Sequence, residues 1–481
     1  MYDLAIIGAG PAGYLAAERL GHEKKKILLV EEKFLGGTCL NEGCIPTKTL
    51  VNSAKLYVHA REGGKFGVHA EGVSFDWGAI QKWKNEVTEK LRGGIEAMMK
   101  KYGVEVASGR GEIIAAPAGG SGRIRVSPVN SGGISGGGPG PLEYEARAIL
   151  VSPGSVPALP PIPGSRNNPL VLDSSALLQT GAVPQKLTVI GGGVIGVEFA
   201  GLFSALGAEV TVIEMMDEIV PFMDREHAPL LRRAMKGVEF RLGCRVEKIE
   251  GSAVHYTTKD GKKEEARADL VLLAAGRRPV LEGWGAENAG LDSGAKGTVV
   301  DDRMRTSVPG IWAAGDVTGR SLLAHSAYRM AEVAAAGISA YLDLADGKAA
   351  GGGGPPAIPN RMRYDAVPWA VYGVTEAAGV GITSQEAAEK GTAVLESNLP
   401  MRASGRFAAE NTFSGQGAVK VIASAESRKI LGVHAVGAYA SEFIWGGAAL
   451  IEQELRIEDV KQMIFPHPTV CELIRDAVWS L

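Results

Sequence analysis

An α/β fold is predicted, built on two similar βαβ units and followed by a C-terminal α+β domain. Three observations predict it. A short apolar strand runs into a glycine-rich turn near the N-terminus, the same arrangement recurs near residue 190, and a glycine–proline break before residue 360 precedes further strand-like runs. At 481 residues the chain is long enough for about three domains of ordinary size. Hydrophobic residues make up 45% and the formal charge is −3, which describes a globular protein with no general attraction for nucleic acid or anionic membranes. No uninterrupted apolar run approaches the roughly 20 residues that span a bilayer. The first strand begins at once and nothing at Met1 resembles a signal peptide, so a cytoplasmic protein is expected.

The first unit reads Asp3-Leu4-Ala5-Ile6-Ile7, then Gly8-Ala9-Gly10-Pro11-Ala12-Gly13, then a helical pattern from Tyr14 to Leu20. A second strand, Ile27-Leu28-Leu29-Val30, ends in Glu31. Glycines at Gly8, Gly10 and Gly13 let backbone N–H groups and a helix N-terminus approach a pyrophosphate, and an acid at the next strand's end accepts from a ribose hydroxyl. This is a Rossmann-like dinucleotide-binding unit. It recurs as Leu187–Ile190, then Gly191-Gly192-Gly193-Val194-Ile195-Gly196, then Val210–Ile213 ending in Glu214. Two units imply two dinucleotides. Glu214 suits the 2′-hydroxyl of NAD and repels a 2′-phosphate, and no arginine follows within several residues, which favours NAD over NADP.

The expected domains are residues 1–153 with 277–346, residues 154–276, a linker at 347–359, and residues 360–481. The linker contains Gly351-Gly352-Gly353-Gly354-Pro355-Pro356. A glycine-dense stretch between Pro117 and Pro141 surrounds Arg123-Ile124-Arg125-Val126, which reads as a strand in a flexible hairpin extension.

Two of only four cysteines, Cys39 and Cys44, stand five positions apart in Cys39-Leu40-Asn41-Glu42-Gly43-Cys44. A chain so sparing of cysteine is not a disulfide-stapled secreted fold, and the close pair points to redox or metal chemistry. Residues five apart on a straight helix rise about 7.5 Å, whereas a disulfide wants Cα atoms roughly 4.4–6.8 Å apart. The helix must therefore start or bend between the sulfurs, and Gly43 is where it could do so.

The segments Gly36-Gly37-Thr38-Cys39 through Cys44-Ile45-Pro46-Thr47-Lys48, Gly276-Arg277-Arg278-Pro279, Ala313-Ala314-Gly315-Asp316-Val317 and His467-Pro468-Thr469-Val470-Cys471-Glu472 occur in this order over almost the full length. Together they resemble the flavin-dependent pyridine nucleotide–disulfide oxidoreductases, and most closely the branch that oxidises protein-bound dihydrolipoamide to lipoamide. By that resemblance the first unit holds FAD and the second NAD. Cys39 and Cys44 form a redox-active disulfide, Cys39 exchanging with substrate and Cys44 lying against the flavin. A helix N-terminus and Lys48 are neighbours that favour a thiolate.

The resemblance also implies a Lys48–Glu198 ion pair, and Asp316 bonded to the flavin's ribityl chain. Gly37, Thr38, Ala115, Gly154, Ser155, Leu323 and Ala324 line the flavin. Val194 shields it, while Ile195, Val246 and Gly276 belong to the NAD site. His467 acts as base with Glu472 orienting its ring, as a carboxylate does in a triad. In the family this pair reaches the partner subunit's disulfide, so a homodimer with shared active sites is expected, its interface in residues 360–481. A lipoyl-bearing acyltransferase or carrier protein is the expected partner. No metal site, nucleic acid or membrane contact is implied.

Four positions depart from the pattern. Ser152-Pro153 replaces Ala-Thr before Gly154-Ser155, and Pro153 removes a backbone donor. Cys471 replaces a serine, and Phe465 stands where relatives carry another histidine. The alternative is an NADH-dependent reductase of another low-molecular-weight disulfide. A non-catalytic flavoprotein scaffold would tolerate loss of Cys39, Cys44 or His467, and all three are present.

Overall fold

Tyr2–Ile7 forms β1, an apolar strand buried along nearly its whole length. The glycine turn then leads into α1 (Pro11–His22), which begins at proline because the N–H missing there would have no helical partner. β2 (Ile27–Glu31) returns parallel to β1 with Leu4 opposite Ile27. Next come α2 (Gly37–Glu42), α3 (Cys44–Glu62) and α4 (Trp77–Lys101). This computed structural model describes residues 1–117, 120–129, 140–348, 360–412 and 414–481. Residues 118–119 and 130–139 of the glycine-dense stretch and 349–359 of the expected linker thus lie outside the described residues. Arg123–Val126 falls inside an observed strand, Gly122–Ser127.

The chain divides into two compact units. One comprises Met1–Thr47, Lys82–Ala158 and Arg277–Met362. Its sheet runs in the order Glu105–Ser108, β2, β1, Leu142–Val151, Gly122–Ser127, Arg110–Ala115, with Ile311–Ala313 also pairing to Leu142–Val151. The strands around β1 are parallel, while the Gly122–Ser127 and Arg110–Ala115 strands are antiparallel additions.

The other unit comprises Lys48–Gln81, Leu159–Gly276 and Arg363–Leu481. It carries a parallel sheet ordered Val238–Arg241, Glu209–Ile213, Lys186–Ile190, Leu270–Leu273, Val171–Leu172. It also carries a five-stranded antiparallel sheet ordered Trp369–Val371, Ala377–Gly381, Ile430–Val436, Ala418–Ser424, Val394–Pro400. Ala440–Glu452 and Glu472–Trp479 are the helices packed on this antiparallel sheet. Val419, Val421, Val433, Ile444, Leu473 and Val478 form the core between them, all buried.

Both βαβ units close on themselves by the same device. Glu31 Oε2 accepts from the Ala9 N–H at 2.8 Å, and its Oε1 accepts from the Lys33 N–H at 2.8 Å. In the repeat, Glu214 Oε2 accepts from the Gly192 N–H at 2.5 Å and Oε1 from the Met216 N–H at 2.8 Å. Each strand-end carboxylate therefore ties down its own glycine turn. Helix and strand also approach closely. A Cβ on Gly13 would lie 1.9 Å from the Gly8 carbonyl oxygen, and one on Gly196 would lie 1.9 Å from that of Gly191.

A buried ionic cluster joins the segment at Asp224–His227 to the antiparallel sheet. The Lys420 ammonium, 1% exposed, lies 3.3 Å from both Asp224 carboxylate oxygens, 3.1 Å from Glu226 and 3.4 Å from Glu396, and donates to Ser384. Burial alone would push the Asp224 carboxyl up. The N–H bonds from Ser384 and Glu226 and the Lys420 charge outweigh it and bring it to about 2. His227, bonded through Nε2 to Asn398 at 3.2 Å, is pushed down to about 4 by burial. His434 is lowered for the same reason.

A histidine whose folded pKa lies below its unfolded value withdraws stability as pH falls from about 6.5 toward 4, because the unfolded chain binds the proton first. Asp224 withdraws its contribution only below the usual carboxylate range. Urea unfolding of the holoprotein should therefore show stability falling by about 2 kcal/mol between about pH 7.5 and about pH 5 on account of His227. His227→Gln should flatten that slope, and equal slopes in both proteins would contradict the assignment.

Candidate active site

The thiol pair sits at a break between two helices. Gly36, in the left-handed region at φ 94°, opens α2, which carries Cys39 and ends at Glu42. Gly43 (φ −146°, ψ −108°) interrupts the helix, and Cys44 is the first residue of the 19-residue α3. The expected bend at Gly43 is present. A Cβ there would stand 3.0 Å from the Thr38 carbonyl oxygen, so the residue also permits a close approach. Thr47 secures the far side, its hydroxyl donating to the Gly43 carbonyl at 2.6 Å and its N–H at 3.0 Å. Both cysteines are half-buried.

The start of α2 packs on the first glycine turn. A Cβ on Gly37 would lie 2.6 Å from the Gly10 Cα. A Cβ on Gly10 would meet nothing closer than 4.0 Å, and one on Gly193 nothing within 4 Å. The middle glycine of each turn is thus open where the first and third are tightly packed, as a backbone that receives a pyrophosphate requires.

A polar network surrounds Asp316, which follows the strand Ile311–Ala313. The Ser155 hydroxyl donates to Asp316 Oδ2 at 2.6 Å and accepts from Arg277 Nε at 2.8 Å. Arg277 Nη2 donates to the Ser155 carbonyl at 2.6 Å and to the Thr38 hydroxyl at 3.5 Å. Burial pushes the Asp316 carboxyl up, while the Ser155 bond and the Arg277 charge oppose it. Arg277 was visible in the sequence only as part of a motif, with no role. It ties Ser155 to Thr38, and the Ser155 hydroxyl carries the link on to Asp316.

Other expected flavin-lining positions are spread along the same unit. Ala115 ends the strand Arg110–Ala115 at a register shift. Gly154 takes φ 79° with open space around a Cβ, and Leu323 precedes the long helix that begins at Ala324. Ser152, beside Pro153, donates its hydroxyl to the Gly8 carbonyl at 2.9 Å.

In the second unit Lys48 meets Glu198 as expected, its Nζ lying 2.9 and 3.1 Å from the two carboxylate oxygens. The pair has a third member that the sequence did not reveal. Tyr372 donates its N–H to Glu198 Oε1 at 3.0 Å, and its ring lies under the Lys48 ammonium, 4.4 Å from centroid to Nζ. Glu198 is 6% exposed and Lys48 31%, so the carboxylate is a buried anchor for a cation that still reaches solvent. Val194 begins the helix Val194–Ala205, and Ile195 packs into the core beneath it. Val246 lies in the antiparallel strand Arg245–Glu250, and Gly276, at φ 96°, has open space around it.

His467 and Glu472 are also brought together. Nδ1 lies 3.0 and 3.1 Å from the two carboxylate oxygens, so the Nδ1–H donates and the ring's lone pair is left on Nε2. The imidazole is 79% exposed and the carboxylate 11%. The Thr469 N–H, at 2.9 Å, leads the contacts that hold the Glu472 carboxyl below its usual range, with His467 and Arg475 adding to it. The substituted positions are structural here. Phe465 packs against the domain core, and the Cys471 sulfur lies 3.1 Å from the Thr469 hydroxyl. Among the described residues no cluster of three or more His, Cys, Asp or Glu could hold a metal, and no helix is long and apolar enough to cross a membrane.

Comparison with known proteins agrees with this geometry. Residues 2–331 match the family described as pyridine nucleotide-disulphide oxidoreductase, and residues 367–478 match that family's dimerisation domain. The chain is 35% identical to a dihydrolipoyl dehydrogenase of Chlamydia muridarum, over 98% of this chain and 95% of that protein. It is 37% identical to one of Haloferax volcanii, over 99% and 95%. Among solved structures, LpdA from Mycobacterium tuberculosis superposes with a TM-score of 0.84 at 26% identity, covering 100% of this chain and 99% of the other. The chain belongs to the pyridine nucleotide-disulphide oxidoreductase family.

Proposed function

We propose that this chain oxidises protein-bound dihydrolipoamide to lipoamide through a redox-active Cys39–Cys44 disulfide, with FAD and NAD as cofactors. The observation that carries the reading is the helix break at Gly43, which leaves one thiol within the short α2 and the other at the start of α3, with α2 packed on the first glycine turn. FAD fits the first unit, where Gly8, Gly10 and Gly13 would hold its pyrophosphate and Asp316 its ribityl chain. NAD fits the repeat, at Gly191, Gly193, Gly196 and Glu214. When bound, FAD would supply a two-electron acceptor for the thiol pair, and NAD⁺ a hydride acceptor.

The protein's own groups do the thiol chemistry. One substrate thiol attacks Cys39 of the disulfide and forms a mixed disulfide, releasing Cys44 as thiolate. The second substrate thiol then displaces Cys39, so substrate leaves as the cyclic disulfide and both cysteines are reduced. His467 Nε2 takes the substrate proton, and the ionised Glu472 holds Nδ1–H and stabilises the imidazolium. The Lys48–Glu198–Tyr372 cluster fixes a positive charge one helical turn beyond Cys44 on α3.

The working molecule is a homodimer formed through the C-terminal domain, and the exposed His467 ring serves the disulfide of the partner subunit. The physiological substrate is the lipoyl group of an acyltransferase or carrier protein, met in the cytoplasm.

NAD reduction measured with dihydrolipoamide against a panel of other dithiols tests the reading. Dihydrolipoamide should be the best donor; if it failed while another thiol turned over, the substrate assignment would fall. His467→Gln should lower turnover by about 10²–10⁴-fold. The half-reaction between NADH and the flavin should survive that change, and Glu472→Gln should cost less. Wild-type protein should favour NAD over NADP by roughly 100-fold in kcat/KM, about 3 kcal/mol of discrimination. Parity would contradict the role given to Glu214.

A further inference from the structure

Asn41 lies between the two cysteines and is buried, 8% exposed. Its carboxamide is engaged on both ends. Nδ2 donates to the Leu35 carbonyl at 3.0 Å and to the Gly37 carbonyl at 2.9 Å, while Oδ1 accepts from Arg92 Nε at 3.0 Å. These contacts fix the amide's orientation, since turning it over would set its NH₂ against the guanidinium and its oxygen against two carbonyls. Arg92 comes from α4, far along the chain, and its guanidinium also lies over the Phe34 ring at 4.4 Å. One half-buried side chain thus grips the loop before α2 and, through Asn41, the turn that carries Cys39.

We propose that Arg92 is a positioning residue for the thiol couple, holding the Asn41 carboxamide and so setting how readily Cys39 and Cys44 close to a disulfide. The inference rests on the reading of the thiol pair given above. Closing the disulfide joins two sulfurs and releases two protons and two electrons. In the exchange used here, the electrons come to rest on lipoamide, which opens to its dithiol as the cysteines close. The equilibrium therefore depends on how well the helix break holds the sulfurs at bonding distance, which is an effective concentration of one thiol at the other. Without the Arg92 donor, Asn41 Oδ1 becomes a buried acceptor with one partner fewer. The amide then turns to find another, and its grip on Leu35 and Gly37 is lost.

The test uses the flavin-loaded protein as wild type, Arg92→Leu and Arg92→Gln. Each is equilibrated in graded dihydrolipoamide–lipoamide mixtures, alkylated, and the fraction of Cys39–Cys44 present as disulfide is read by mass. Arg92→Leu should need a mixture about tenfold more oxidising, a midpoint about 30 mV less negative. Arg92→Gln, which keeps an N–H donor, should lie between it and wild type, and thermal midpoints should change by less than about 4 °C. An unchanged midpoint in Arg92→Leu would overturn the proposal. So would equal shifts in both variants that track equal losses of thermal stability, since these would reduce Arg92 to packing. A wild-type disulfide that dihydrolipoamide does not open would instead overturn the functional reading itself, a failure visible before any variant is made.

Discussion

Reactive sulfurs five residues apart must come within bonding distance of each other and still be able to separate, and the local fold follows from that need. A continuous helix would hold their Cα atoms about 7.5 Å apart along its axis, beyond the span a disulfide tolerates. The chain resolves this by ending α2 at Glu42 and restarting at Cys44, with Gly43 passing close beneath the Thr38 carbonyl, where a Cβ would stand 3.0 Å from the oxygen. The restart makes Cys44 the first residue of a long helix, at the end whose dipole favours negative charge. Thr47 and Asn41 then pin the two sides of the break to nearby carbonyls. The interruption is what allows the pair to be a switch.

The two nucleotide turns obey a second constraint. A glycine-rich loop that offers its N–H groups to a ligand is conformationally loose unless something holds it. In both units that something is the strand-end glutamate, which spends one carboxylate oxygen on the loop and the other on the residue two positions beyond itself. Each oxygen has a second lone pair, so holding the loop and meeting a ribose are compatible. The duplication extends from the sequence pattern to the hydrogen bonds, which supports the two sites being built for the same class of ligand.

Much of this was legible in the sequence because the relevant partners are close along the chain. The βαβ units, the break at Gly43, and His467 with Glu472 five residues later all depend on short spacings and on residue types with few roles. The first helix extends the expected Tyr14–Leu20 by three residues at its start and two at its end, where a proline start rather than periodicity decides. The unreadable contacts were those whose partners come from distant strands and helices. Tyr372 meets Lys48 and Glu198, Arg277 links Ser155 to Thr38, and Arg92 reaches Asn41, yet no spacing rule connects any of them. Lys420 is the clearest case. A lysine within an alternating strand reads as solvent-facing, and here it is the buried hub of a carboxylate cluster. Its partners pack above it only once the Asp224 segment and the antiparallel sheet have folded together.

The account stands or falls on covalent exchange between Cys39 and Cys44. Peptide mapping of the air-oxidised protein, with and without one equivalent of dihydrolipoamide, addresses it directly. The account predicts a single cross-linked peptide containing both residues, opened stoichiometrically by the dithiol to two alkylatable thiols while Cys244 and Cys471 are unaffected. Cysteines that alkylate independently of each other, or a cross-link indifferent to the dithiol, would contradict it.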